Sequence, residues 1–361
     1  MSKFDVYYES LQARQRRLKE GIPTIIPITF PSLSKFIPGI IRGDVINLTA
    51  GSGIGKSRLC RKMFIRDIIE FAEHAGLKVK IFLNSLEEDE PKVISTIIAN
   101  DLYKRYGIQV NYFELNNYAL KPMSDELEAM VQTSRQAVDD YQKYVDIIHI
   151  GNPTGVYKYV IDYLFSAGTF LKNGNILTEV KYHSSDWDTY IPDDPSEIVV
   201  VISDTINKYQ AENNNTHYQS LRTFSEFYSR NLLGLRCGVI SVIIQQQKGS
   251  KEAIDTNFRG TTIIEKLKPS LDALADNTGT QQDATLILGL FSPVKFGDNN
   301  YGGYPDLTNL TGKFRVLSVL KTREGELEAN NEIPLYCQLG IDEFTEMPKP
   351  HEKELLKQFY K

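Results

Sequence analysis

The stretch Asn47 to Leu59, NLTAGSGIGKSRL, constrains what this chain can fold into more than any other. A β-branched run, Asp44 to Leu48, leads into a turn with Gly51, Gly53 and Gly55, and the residues from Ser57 onward (SRLCRKMFIRDIIEFA) have helical apolar spacing. Strand, glycine-rich turn and helix start make a phosphate-binding loop. The glycines allow a tight bend that aims successive backbone N–H groups at phosphate oxygens beside a helix N-terminus. On this pattern the cradle is Ala50, Gly51, Ser52, Gly53, Ile54, Gly55, Lys56 and Ser57. Lys56 is expected to reach the β- and γ-phosphates of ATP or another NTP, and the Ser57 hydroxyl to bind Mg²⁺. Ala50 stands where the pattern has its first glycine, and it is small enough for the turn.

The rest of the chain alternates strands with helices. Strands are expected at Lys78–Ser85, Val145–Ile150, Ile198–Ile202, Val239–Ile244, Thr285–Leu290 and Phe314–Lys321, and helices at Asp89–Tyr106, Met123–Tyr144, Val156–Leu171 and Leu221–Leu235. Ile198–Ile202 (IVVVI) is continuously apolar, as a strand covered by helices on both faces is. The alternation predicts an α/β fold with a largely parallel sheet. Before the loop, Phe4–Glu20 reads as a short helix ended by Gly21, and the proline-rich Ile22–Gly43 as an extended lead-in. Lys172–Glu197, polar but for a few residues such as Trp187, reads as an inserted surface loop.

Composition adds bounds. With 361 residues, 41% hydrophobic and 24% charged, the chain can bury a substantial core in one large domain or two smaller ones. A net charge of −5 excludes a whole-molecule field that pulls it onto nucleic acid, so any such contact must use local patches. Cys60, Cys237 and Cys337 are scattered among apolar residues without metal-ligand spacing, which suits core positions in a reducing compartment. No apolar run approaches a membrane span and the N-terminus has no signal-peptide core, so a cytoplasmic protein with no membrane partner is expected.

In an open α/β sheet, ligands sit beyond the carboxyl ends of the strands. There the chain carries Glu87 after the second strand, Asp204 after the Ile198 strand, and Gln245, Gln246 and Gln247 after the Val239 strand. A P-loop ATPase needs an acid near Mg²⁺, a carboxylate for the attacking water and a polar sensor of the γ-phosphate. Asp204 suits the first role, directly or through water; Glu87 suits the second. Basic residues follow the glutamines (Lys248, Lys251, Arg259, Lys266, Lys268), diluted by Glu252, Asp255 and Glu265, and offer a modest DNA footprint.

Taken together, these pieces resemble the RecA-like motor domain of DnaB-type replicative helicases, from about Glu20 to about Phe344. EGIPTIIPITFPSL is similar to that family's "GIPTGF…LD" opening, and IRGDVINLTAGSGIGKS to its "GDLIIVAGRPSMGKT". FLNSLEEDEPKVISTIIA resembles "FFSLEMSAEQLVMRLLA", which implies Glu87 as catalytic base, and VVVISDTINKY resembles "LIVIDYLQLM", which implies Asp204 as the Walker B acid. SVIIQQQKG is similar to "VVALSQLNR", which singles out Gln246 as γ-phosphate sensor. LADNTGTQQDATLILGL resembles "LRESGAIEQDADLILFL", with Gln282, Asp283 and Ala284 in register. VLKTREG resembles "IGKQRNG", which implies that Lys321 and Arg323 act on the neighbouring subunit's nucleotide, Arg323 as arginine finger. In two departures, Ala275 stands where the family carries an arginine and Gly279 is displaced by one position; the implied DNA-contact loop is Asp276, Asn277, Thr278 and Gly279.

The resemblance implies a RecA-like P-loop fold with a C-terminal β-hairpin region. It divides the chain into a linker helix at 1–21, a motor domain at 22–345 with an insertion at about 172–197, and a tail at 346–361. It further implies a homo-oligomeric ring, most simply a hexamer, that uses ATP and Mg²⁺ to move on single-stranded DNA in phage- or plasmid-like replication, with primase or a helicase loader as partners. The alternative is a RecA-like DNA-binding ATPase in recombination or assembly that does not unwind.

Overall fold

The computed structural model describes residues 2–118, 121–212, 215–248, 257–258, 261–262, 267–274, 279–304, 306–310, 312–327 and 331–360. Its strands are β1 (Val45–Ala50), β2 (Val79–Ser85), β3 (Val145–Ile148), β4 (Gly168–Lys172), β5 (Asn175–Ile176), β6 (Thr189–Pro192), β7 (Ile198–Asp204), β8 (Ile240–Gln246), β9 (Asn257–Phe258), β10 (Thr261–Thr262), β11 (Leu286–Phe291), β12 (Phe314–Thr322), β13 (Glu332–Gln338) and β14 (Glu343–Glu346). Among the described residues, nine of these form one sheet in the order β14-β13-β12-β11-β1-β8-β7-β2-β3. From β11 to β3 every pairing is parallel, whereas β12, β13 and β14 run antiparallel to their neighbours. The fold is therefore α/β with a mostly parallel sheet and an antiparallel C-terminal extension. Strands β9 and β10 pair only with each other.

Both faces of the parallel strands are covered, so side chains of period two feed two cores. Ile46, Leu48, Val200, Ile202, Val242 and Ile244 point to the face covered by the helical run 56–75. Val45, Val201 and Ile243 point to the other face, against helix Pro153–Ser166 and the helical run 217–237. A third cluster, with Phe291, Phe314, Met347 and Leu356, closes the antiparallel end.

Three segments depart from the expectations drawn from sequence. The single helix expected over Met123–Tyr144 is two, Asp125–Thr133 and Arg135–Tyr144. Ser134 divides them: it is fully buried, its N–H bonds Val131 O at 3.0 Å in a tighter turn, and its hydroxyl receives Arg105 at 3.2 Å. The helix expected over Val156–Leu171 starts at Pro153, capped by the Asn152 side chain, and stops at Ser166.

Beyond it, the stretch read as a polar loop over Lys172–Glu197 folds with β4 into a three-stranded antiparallel sheet, β5-β4-β6. Trp187 is its core, edge-on to Phe170 with ring centroids 4.9 Å apart. One buried indole offsets many solvated polar side chains, which is why an average polarity concealed the sheet. Finally, residues 346–361, expected as a tail, supply Met347 and Leu356 to the third cluster and place Phe359 against Tyr336 at 5.2 Å.

Candidate active site

Strand β1 sits mid-sheet between β11 and β8 and delivers the loop Gly51–Gly55 to the carboxyl edge. Gly53 and Gly55 hold φ of +70° and +111°, the left-handed region in which an L side chain is strained. At Gly55 space is short as well, since an added Cβ would meet Leu339 Cδ2 at 2.7 Å. Helix Lys56–Arg61 starts there. The buried Lys56 ammonium bridges Gly51 O at 3.0 Å and Ala50 O at 3.3 Å across the loop mouth.

Two strands over, Asp204 ends β7 and accepts the Ser57 hydroxyl at 3.0 Å. Burial pushes its carboxyl up to about 6; the Ser57 bond and Arg61 oppose that shift, and Glu87 and Glu88 add to it. The Asp204–Thr205 peptide is cis. Leu86 N–H bonds Asp204 O at 2.6 Å, which ties the end of β2 to the end of β7 and puts Glu87 beside the loop. Gln246, last in β8, donates from Nε2 to Glu87 Oε1 at 3.1 Å, while its own N–H bonds Asn207 Oδ1 at 2.9 Å. Its neighbours point elsewhere, because strand residues alternate. Gln245 is buried on Asn47 and Thr280, and Gln247 bonds Thr49. Lys56, Ser57, Asp204, Glu87 and Gln246 thus converge on one edge.

Lys321 and Arg323 do not join them. Strand β12 is antiparallel, so its last residues lie at the amino end of β11: Arg323 N–H bonds Thr285 O at 2.9 Å, and Thr285 N–H bonds Val45 O at 2.8 Å. Val45 opens β1 and the phosphate loop follows its far end, roughly 17 Å away at strand rise. The two side chains donate instead to the carbonyls of Gln281 and Gln282. Burial and the adjacent Arg323 hold the Lys321 ammonium below its usual range.

No protein-family model matches the chain, and no curated protein matches it. Solved structures do. The ATPase domain of one helicase matches at 13% identity and a TM-score of 0.63, over 94% of this chain and 98% of that one. A DnaB-like replicative helicase, described with its interactions with primase, matches at 13% identity and 0.63, over 95% of this chain and 67% of that one. The chain has the RecA-like fold of DnaB-type helicase ATPase domains. At this identity the likeness concerns the fold, and the chemistry must be argued from the side chains.

Of the residues assigned to DNA within this RecA-like domain, Lys251, Arg259, Asp276, Asn277 and Thr278 lie outside the described residues. Lys248 bonds backbone carbonyls of the 271–274 turn, with N–H to Ala273 O at 2.7 Å and Nζ to Asp272 O at 3.4 Å. Gly279 precedes the one-turn helix Thr280–Asp283.

Three further contacts had no notice in the sequence. Arg315 in β12 is buried and donates from Nε to Ile54 O at 2.8 Å, bracing the loop from beneath. Lys295 reaches Ser52 O at 3.0 Å. Glu88, expected in a solvated acidic turn, is instead clasped by Arg58 and Arg61. The arginine spacing of three on the first turns of a helix was the available signal, since such residues share a face.

Proposed function

We propose that this chain is an ATP-hydrolysing ring motor that translocates on single-stranded DNA and unwinds duplex DNA in replication. The observation carrying the proposal is the split between the two edges of the sheet. Five polar side chains suited to a nucleoside triphosphate meet at the carboxyl edge, while a Lys/Arg pair with no route to them stands at the other. A ring gives each pair a nucleotide, on the next subunit.

The residues present fit ATP and Mg²⁺. The positive-φ glycines leave N–H groups facing outward into the loop, Lys56 is held at its mouth, and Ser57 and Asp204 present adjacent oxygens 3.0 Å apart. Backbone N–H groups and Lys56 bind the phosphates, and Ser57 with Asp204 would hold the cation, which when bound neutralises charge on the β- and γ-oxygens. Glu87 orients the attacking water and takes its proton, and Gln246 donates to the γ-phosphate. Arg323 and Lys321 of a neighbouring subunit stabilise the charge that spreads over the transferred phosphoryl group.

The helix Lys3–Lys19 supports the assembly, with Phe4, Tyr7 and Leu18 more than half exposed (67, 58 and 57%), as suits a linker helix that docks on a neighbour. Primase or a loader as partner, a bacterial or phage-infected cytoplasm, and DNA contact through the loops around 248–279 belong to the same reading. A mass measurement with and without ATP tests it, with a closed ring expected when ATP is bound. Turnover stimulated by single-stranded DNA together with displacement on a forked duplex separates it from a RecA-like ATPase that does not unwind. A monomer under all conditions overturns the ring.

A further inference from the structure

Glu88 follows Glu87, and the two side chains point to opposite sides of the turn after β2. Glu87 faces Gln246; Glu88 faces the helix that begins at the phosphate loop. There it accepts Arg61 Nη1 at 2.7 Å and Arg58 Nη2 at 3.2 Å. Both arginines also hold Asp342, in the turn between β13 and β14: Arg61 grips it with Nε at 2.6 Å and Nη2 at 3.3 Å, and Arg58 reaches it with Nη1 at 3.3 Å. The four side chains close a ring of alternating charge. All are largely buried, with Arg61 and Asp342 only 6 and 8% exposed at the side chain. Burial pushes the Glu88 carboxyl up, but Arg61 and Arg58 outweigh it and keep the group below its usual range.

A buried ring of this kind is weak evidence for stability, because desolvation of four charges offsets most of their attraction. Its placement is more informative. Arg58 directly follows Ser57 on the helix, so the ring spans the gap between the residues that face the phosphates and the turn that carries Glu87. That turn is bracketed elsewhere by backbone alone, through Leu86 N–H to Asp204 O at 2.6 Å and the Ser85 hydroxyl to Glu88 O at 2.6 Å. The far side of the ring reaches the loop too, since Leu339, at the start of the turn that ends in Asp342, packs where a Gly55 side chain would lie.

We infer that Glu88, Arg58, Arg61 and Asp342 form a positioning clamp that sets the Glu87 carboxylate at its working distance from the phosphate loop. The inference rests on the reading of Glu87 given above. Displacement of a reacting group by 1 Å can cost about 100-fold in rate, so a rigid span between base and phosphates has a large effect on turnover and a small one on binding.

The test compares Glu88→Gln and Asp342→Asn with Glu87→Gln in the full-length protein, reading steady-state ATP hydrolysis and the affinity of a fluorescent ATP analogue. For the two clamp variants we expect kcat to fall roughly 10- to 100-fold with the analogue's Kd changed less than about threefold. Unchanged kcat, or kcat and affinity lost in parallel with lower melting temperature, overturns the clamp. Should either variant fail to fold, Arg58→Lys preserves charge at the most exposed corner while removing the fork that joins Glu88 to Asp342, and the same split is expected of it. Full turnover in Glu87→Gln would instead overturn the assignment of the base itself, so the two failures are distinguishable.

Discussion

Gln246 Nε2 lies 3.1 Å from Glu87 Oε1, joining the last residue of β8 to the turn after β2 across the mouth of the phosphate loop. The contact orders two groups needed at opposite ends of one reaction, the water and the γ-phosphate.

Gln246→Ala should therefore lower turnover by about 100-fold, the usual cost of losing one preorganised donor, with nucleotide affinity nearly unchanged. Gln245→Leu should behave differently, because Gln245 is buried on Asn47 and Thr280. Its loss strands those partners and should lower the unfolding free energy by about 1–3 kcal/mol, read by urea titration, without a selective effect on kcat. Equal kinetic effects at both positions would contradict the assignment of Gln246.

Arg323→Ala should abolish turnover while ATP still binds. Mixing decides whether the arginine acts between subunits. Arg323→Ala and Lys56→Ala subunits are each expected to be inactive alone. A mixed ring pairs an intact phosphate loop from the first with an intact Arg323 from the second, so mixing should restore part of the hydrolysis. No recovery in rings shown by mass to be mixed, or unchanged hydrolysis by Arg323→Ala alone, would sink the trans-acting site.

Trp187→Ala should cost about 3–5 kcal/mol of stability, the usual cost of emptying a large aromatic site, because Trp187 is 1% exposed and is the core of the β5-β4-β6 sheet. Trp187→Phe should recover much of that loss. Analogue binding should be unaffected in both, since this sheet lies on the face of the domain away from the helix of Lys56 and Ser57. A melting temperature for Trp187→Ala indistinguishable from wild type would show the small sheet to be unimportant for folding.

Local chemistry made much of this protein legible in sequence. The phosphate loop could be read because its function demands glycines, a lysine and a hydroxyl at fixed spacing, and the sheet because β-branched runs alternate with helical periodicity. Both are short-range patterns, set by backbone geometry within a dozen residues. Glu87, Asp204 and Gln246 could be placed at strand ends, but that they meet depends on the order β1-β8-β7-β2, which no local pattern contains. Only the tertiary structure decided that Glu88 is buried on Arg58 and Arg61, and that both also hold Asp342, a residue more than 250 positions away in the chain. It also decided that Arg323 stands at the edge opposite the phosphate loop, because the antiparallel turn of β12 reverses the chain there. Burial and long-range ion pairs are properties of the packed chain, and a charged turn looks the same in sequence whether water or arginine surrounds it.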